Sequence, residues 1–416
     1  MQRIAGHYTA RSRDIKQLDH QISPQHFKLV DGHKLPIRGP FTQVICQRGT
    51  AVLSVSQPGE VPLYYSTSPG KISWHEQKLA LSGSVERIPQ GTAIVWTPQS
   101  LFEYPVDQLP RPEIRPPQPQ STAIAQYRQC ILNACAVRTL KRVAIAQSGG
   151  TDSLLLAEAL LRLGVEVVPM TICSGLDDLD IRAAQGSLQA MGLSTLPIVI
   201  PANHLPALIR EALICLETVE SSNVRMAIGN LLMARKCKQL GITMIFTGHG
   251  QDDVFGKGTL MKAVVAQQTG SPSEQWRDAR IAGTAATAGM LKMFSATFRR
   301  YGVEVRHPYY DADLLEWAFA QSVETLPIEY KKQFVHAVAR DALPNGFWLD
   351  EKHSIGYLSG SGLGLKQWLL KVRRPLFDEK ALRRQLAQLR KLPPTQRAAL
   401  CELTVDTPSA PAPSSS

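Results

Sequence analysis

Between about Gly39 and Val106 apolar and polar residues alternate in short runs, such as Phe41–Cys46 and Thr50–Val55. Turn signals separate them at Gln57-Pro58-Gly59, Ser68-Pro69-Gly70 and Pro89-Gln90-Gly91. A period of two in runs this short predicts half-buried strands, so this part reads as a β-rich domain. Residues 1–35 are polar and follow no clear period. Beyond Ala123 the rhythm changes. Continuous apolar runs at Arg142–Ala146, Val165–Met170, Leu196–Ile200 and Thr243–Phe246 alternate with helix-length segments, among them Ala123–Val137, Leu154–Leu163 and Ala227–Leu240. Strands that are apolar on both faces belong to parallel sheets covered by helices on each side, which predicts an α/β fold. The remainder, to about residue 400, reads mainly helical, and no internal repeat is visible.

Five prolines between Pro110 and Pro119 separate the two rhythms. Such a segment is extended and stiff. The expected organisation is therefore a β-rich domain at 1–108, a Pro-rich linker at 109–120, an α/β domain at 121–400 and a disordered tail at 401–416. At 416 residues the chain is too long for one core.

Composition narrows the class. Hydrophobic residues make up 44% and charged residues 19%, as in a folded globular protein. No apolar run is long enough for a membrane helix, and Met1–His7 shows no signal region, so a cytoplasmic protein is expected. The seven cysteines form no CxxC pair, which argues against a disulfide framework and against a structural zinc site. The net charge of +11 favours anionic partners: nucleotides, an acidic carrier or an acidic partner protein. Nucleic acid is not expected, because no basic motif is interleaved with aromatics.

Two segments carry chemistry. Ser148-Gly149-Gly150-Thr151-Asp152-Ser153 lies directly between a predicted strand and a predicted helix. Glycines let a backbone approach a ligand, and the first turn of the helix offers free N–H groups to an anion. Ser148 and Ser153 add hydroxyl donors. Asp152 would repel a phosphate unless a cation stood between them, and Mg²⁺ is the natural bridge. Thr247-Gly248-His249-Gly250-Gln251-Asp252-Asp253 follows the last predicted strand and offers a second set of glycines and carboxylates. It is not a Walker A loop, because five residues separate Gly250 from Gly256 and Gly258 follows Lys257 where Ser or Thr is needed.

The first segment resembles the pyrophosphate-binding loop of the N-type ATP pyrophosphatases. The second resembles the corresponding segment of class B asparagine synthetases. Val303–Asp311, Lys332 with Asp341–Pro344, and Glu351–Gly362 around Lys352 resemble further stretches of asparagine and β-lactam synthetases. Glu60–Tyr65 and Arg87–Gly91 are similar to parts of the glutaminase domain of that family. The resemblance implies an ATP pyrophosphatase-type α/β domain behind a glutaminase-like β-rich domain. It implies an AMP-forming carbon–nitrogen ligase that uses ATP and Mg²⁺. Ser148, Gly149, Gly150, Thr151, Asp152, Ser153, Gly248 and Gly250 would bind ATP. Asp152 and Asp252 would hold the metal, and Lys352, His249 and Lys332 would be catalytic. A small-molecule or peptide carboxylate and an amine would be the substrates.

The sequence departs from that family in two places. Glutamine-using members carry Cys as the first mature residue, whereas Gln2 follows Met1 here and the first cysteine is Cys46. Glutamine hydrolysis is therefore expected to be absent and the β-rich domain degenerate. Asparagine synthetases have Asp at the His249 position, and β-lactam synthetases have a Tyr that works with a later Glu. Gly289–Phe294 offers no such glutamate. His249 can deprotonate an amine, given an ordinary pKa of about 6.5, or can merely hydrogen-bond its loop. Natural-product biosynthesis, with intramolecular closure of a β-lactam or macrolactam, is the alternative within the same chemistry.

Overall fold

The computed structural model describes residues 5–9, 42–47, 49–56, 61–105, 109–136, 141–175, 179–255, 269–288, 290–327, 333–343 and 374–393, with residue 396. Lys332, Lys352, Pro344 and the 401–416 tail lie outside the described residues.

The N-terminal strands are β1 (Ala5–Thr9), β2 (Thr42–Gln47), β3 (Thr50–Val55), β4 (Tyr64–Ser68), β5 (Lys71–His75), β6 (Glu86–Arg87), β7 (Thr92–Trp96) and β8 (Leu101–Pro105). They form two antiparallel sheets, in the orders β1-β5-β4-β6 and β2-β3-β7-β8. Alternation builds the layer between them. Leu53 and Val55 of β3 and Ile94 and Trp96 of β7 share a buried cluster with Tyr65 of β4 and Ile72 of β5. Val52, Ala93 and Val95 point to the other face of their sheet and form a smaller cluster. The β4–β5 hairpin turns at Pro69-Gly70, where Gly70 takes φ +69° at no steric cost. Strand β1 falls in the region where the sequence shows no period. It exists through its pairing with β5, from Ala5 opposite His75 to Thr9 opposite Lys71.

The second half contains β9 (Arg142–Ala146), β10 (Glu166–Cys173), β11 (Leu196–Val199), β12 (Met244–Thr247) and β13 (Glu304–Arg306). All their pairings are parallel, in the order β11-β10-β9-β12-β13. The described helices are α1 (Gln120–Cys135), α2 (Thr151–Arg162), α3 (Leu179–Gln189), α4 (Leu205–Leu216), α5 (Ser221–Gln239), α6 (Gln251–Phe255), α7 (Pro272–Ala288), α8 (Leu291–Arg299), α9 (Ala312–Phe319), α10 (Gln333–Ala342) and α11 (Glu379–Lys391). Val143, Ile145 and Phe246 pack against Tyr127, Leu156, Leu315 and Val335 on one face of the sheet. Ala144, Ile172 and Ile245 pack against Leu208, Ile228, Phe294 and Leu382 on the other. The fold is thus α/β with a covered parallel sheet, beside an N-terminal β-rich region.

Residues 109–119 have no regular secondary structure and run along α7 and the end of α9. Prolines cannot donate, so the remaining groups make the attachments. Arg115 N donates to Ala320 O at 2.7 Å, Gln118 Nε2 donates to Gln321 Oε1 at 2.8 Å, and Arg277 donates to Pro112 O at 3.1 Å. A further tie joins the β-rich half to α8, through the Arg299–Glu76 ion pair at 2.9 Å.

Candidate active site

In a sheet of this order the chain leaves β9 for β10 and β11 on one side, then returns to β12 and β13 on the other. The crevice between β9 and β12 is the topological switch point, where open α/β sheets bind ligands at the carboxyl ends of their strands. The loops that follow those two neighbouring strands are Ser148–Gly150 and Gly248–Gly250. Sequence positions 100 residues apart in the chain are therefore set side by side by strand pairing, with Thr247 opposite Ala146.

Gly150 is the N-cap of α2, with extended φ and ψ, and Gly149 takes φ +78°. The loop turns two successive backbone amides, those of Ser148 and Gly149, onto one acceptor, the Oε1 of Gln147, at 3.0 and 3.2 Å. Ser153 Oγ hydrogen-bonds the same oxygen and lies 3.1 Å from Gly150 O. The Ser148 hydroxyl accepts from Gly150 N at 3.4 Å. Both serines expected to face a ligand are engaged within the loop, and Thr151 and Ser153 are buried. Asp152 stands in the first turn of α2.

Gly248 stands where the two loops meet in close contact. A Cβ there would lie 3.0 Å from Ser153 N and 3.1 Å from Asp152 Cβ. Gly250 has φ +107°, and a Cβ would fall 2.5 Å from the Tyr310 ring. The next residues form α6, a single short turn carrying Asp252 and Asp253. Beneath it, Gln251 donates to the buried Tyr127 hydroxyl at 2.9 Å.

The loops are held from behind by the 3-10 turn Pro308–Tyr310, which follows β13. Tyr309 donates to the backbone oxygen of Asp152 at 2.7 Å, and Tyr310 donates to Asp253 Oδ2 at 2.9 Å. Burial and the Asp253 carboxylate push the Tyr310 hydroxyl far above its usual pKa, so it stays a donor. These two tyrosines, like Gln147, were not recognised as site residues from sequence. Their partners are too distant along the chain for a local pattern to reveal.

His249 sits in an aromatic setting, with ring centroids 5.3 Å from Phe294, 5.7 Å from Tyr310 and 6.1 Å from His307. His307 is buried, and its Nδ1 is 2.7 Å from Thr247 Oγ1. Burial, reinforced by His249, holds its pKa well below the usual histidine value, so it is neutral at pH 7.

Ser148, Gly149, Gly150, Thr151, Asp152, Ser153, Gly248, His249, Gly250 and Asp252 thus all belong to the two loops at the switch point or to the helix turns that follow them. Lys332 and Lys352 lie outside the described residues. Glu217 and Glu220 stand at the junction of α4 and α5. Glu217 is the left-handed C-cap of α4, and Glu220 accepts from Ser222 and Asn223 at the start of α5. Among the described residues no group of three or more His, Cys, Asp or Glu could hold a metal ion. A carboxylate pair still suits Mg²⁺, which keeps several waters and takes one or two carboxylates together with substrate phosphates.

Fold and site together define a parallel α/β unit with two glycine-containing loops side by side at its switch point. Residues 127–300 match the Asparagine synthase family model, and this unit is asparagine-synthetase-like. The chain is 27% identical over 215 residues to asparagine synthetase [glutamine-hydrolyzing] 2 of Oryza sativa subsp. japonica, covering 48% of this chain and 36% of that protein. It is 25% identical over 213 residues to asparagine synthetase [glutamine-hydrolyzing] 1 of Arabidopsis thaliana, covering 49% and 36%. The chain spans about a third of the length of the curated relatives it matches. Among solved structures it is similar to the U34-tRNA thiolase NcsA from Methanococcus maripaludis, at 13% identity and a TM-score of 0.28, over 65% of this chain and 80% of that one.

Proposed function

We propose that this chain is an ATP-dependent, AMP-forming carbon–nitrogen ligase. It adenylates a carboxylate and passes the acyl group to an amine supplied directly, without glutamine hydrolysis. The observation that carries this reading is the juxtaposition of the two loops at the switch point, with Gly248 against Asp152. Backbone amides and the α2 N-terminus suit a pyrophosphate, and the second loop brings a further carboxylate and a histidine beside it.

In the first step a substrate carboxylate oxygen attacks the α-phosphorus of ATP, and the bond to the β-phosphate bridging oxygen breaks. The Ser148–Gly150 amides and the first turn of α2 receive the leaving pyrophosphate. Asp152 and Asp252 would hold Mg²⁺, which supplies charge neutralisation for the phosphates. In the second step the amine attacks the acyl carbon, AMP leaves, and His249 takes the amine proton. By resemblance, Lys352 offsets charge on the acyl oxygen and α-phosphate, and Lys332 meets the pyrophosphate. The β-rich region has one cysteine, Cys46, whose nitrogen lies in a peptide bond within β2. It therefore cannot combine the thiol and free α-amine that N-terminal-cysteine glutaminases use.

The test is carboxylate-dependent ATP–pyrophosphate exchange across a panel of acids, followed by amide detection with added amines. Exchange that needs one acid class supports the reading. ATP cleavage to ADP, or exchange independent of any acid, overturns it.

A further inference from the structure

Gln147 follows the last residue of β9 and turns its side chain into the loop it precedes. Its Oε1 accepts from Ser148 N at 3.0 Å, from Gly149 N at 3.2 Å and from the Ser153 hydroxyl. Two adjacent amides, a left-handed Gly149 and the N-terminus of the twelve-residue α2 are the donor set that receives an anion oxygen. The carboxamide is 3% exposed, and its Nε2 has no hydrogen-bond partner among the described residues. A buried amide nitrogen without a partner is costly, and such a group in a folded protein calls for an explanation. The gain that offsets it lies on the oxygen side, where three donors converge.

The main chain of Gln147 is fixed. Its N–H donates to Met170 O at 2.8 Å, and its carbonyl accepts from Thr171 Oγ1 at 2.9 Å. Only the side chain is left to exchange partners. A phosphate oxygen carries formal charge and accepts more strongly than a neutral carboxamide, so it would win these donors.

We propose that Gln147 is an internal competitor in the phosphate cradle: its carboxamide oxygen occupies the donors that pyrophosphate needs, and displacing it sets the affinity of the site. This rests on reading the loop as a pyrophosphate cradle. It assigns Gln147 a gating role that weakens binding. If Gln147 instead aided binding through Nε2, its removal would have the opposite sign.

The test is calorimetric titration of the full chain with inorganic pyrophosphate and Mg²⁺. Wild type is compared with Gln147→Met, which keeps length and removes the carboxamide, and with Gln147→Asn, which keeps the amide but is one methylene short. Both variants should bind pyrophosphate about tenfold more tightly, since each hydrogen bond to be displaced is worth several-fold in affinity. Thermal unfolding checks that each variant folds, and pyrophosphate should raise the variants' Tm more than that of wild type. Equal or weaker binding by whichever variant folds overturns the proposal. Carboxylate-dependent exchange on the same samples separates the two claims. Exchange without tightened binding sinks only the gate, and tightened binding without exchange sinks only the ligase reading.

Discussion

His249 and His307 lie within 6.1 Å of one another but have different environments. His307 is buried against Thr247 and held neutral, whereas His249 lies in the second loop among Phe294 and Tyr310 and takes the amine proton under the proposed reaction. His249→Ala should therefore reduce amide formation by about 10², the usual contribution of a general base. Acid-dependent pyrophosphate exchange should change far less, and the amide defect should narrow as pH rises and the amine loses its own proton. Equal losses in the two assays at every pH would remove His249 from the chemistry. His307 makes a separate prediction about stability. Its folded pKa lies well below the usual value, while the unfolded chain binds a proton at about pH 6.5. Below about pH 6.5 the unfolded state thus holds more protons than the folded state. The contribution of the neutral histidine is complete above that pH. It is lost as pH falls toward the folded pKa, at up to about 1.4 kcal/mol per pH unit. Urea unfolding between pH 7.5 and 5.5 should show a shallower slope for His307→Gln than for wild type.

At the scale of elements, the site is two strand–loop–helix units clamped by the turn Pro308–Tyr310. Gly250→Ala tests the clamp. Its added Cβ would fall 2.5 Å from the Tyr310 ring in a backbone conformation that L side chains rarely adopt. The expected cost is about 1–3 kcal/mol, seen as a lowered Tm, together with a loss of pyrophosphate exchange as the Tyr310–Asp253 contact shifts. Unchanged Tm and exchange would show that the turn yields freely. The loops themselves were legible in sequence because glycine spacing, an adjacent apolar run and a following helix are all local signals. The strands β9 to β12 were legible for the same reason, to within one to three residues. Strand β13 was not read as a strand, since Glu304–Arg306 is three residues long and buries only Val305. Strand β1 was missed because its order comes from β5, far along the chain. Tyr309 was missed as a clamp because its acceptor, Asp152, lies 157 positions away. Gln147 is a single polar residue after the apolar run, with no local pattern to mark it. Only the folded loop shows that its oxygen meets three donors.

The whole molecule joins a β-rich half to an asparagine-synthetase-like half by a fastened proline-rich strap and an Arg299–Glu76 ion pair. That joining raises the question of what nitrogen source the first half serves. In a glutaminase of the N-terminal-cysteine type, the thiol attacks the amide carbonyl while its own α-amine takes the proton. Cys46 meets neither condition. Its nitrogen is in a peptide bond, and its strand position is set by pairing with Ala51. Cys130 and Cys135 belong to α1, in the other half, and burial raises both thiols, Cys130 to about 11, so neither is an ionised nucleophile at pH 7. The purified chain, supplied with ATP, Mg²⁺ and an accepted acid, should therefore form amide from an added amine and release no glutamate from glutamine. Cys46→Ala should leave the amine-dependent rate within about twofold of wild type, as expected for a surface change away from the chemistry. The decisive measurement is glutamate release, followed enzymatically, in wild type and Cys46→Ala. Release in wild type that disappears in the variant would make the β-rich half a working amidotransferase and reverse the assignment of a directly supplied amine.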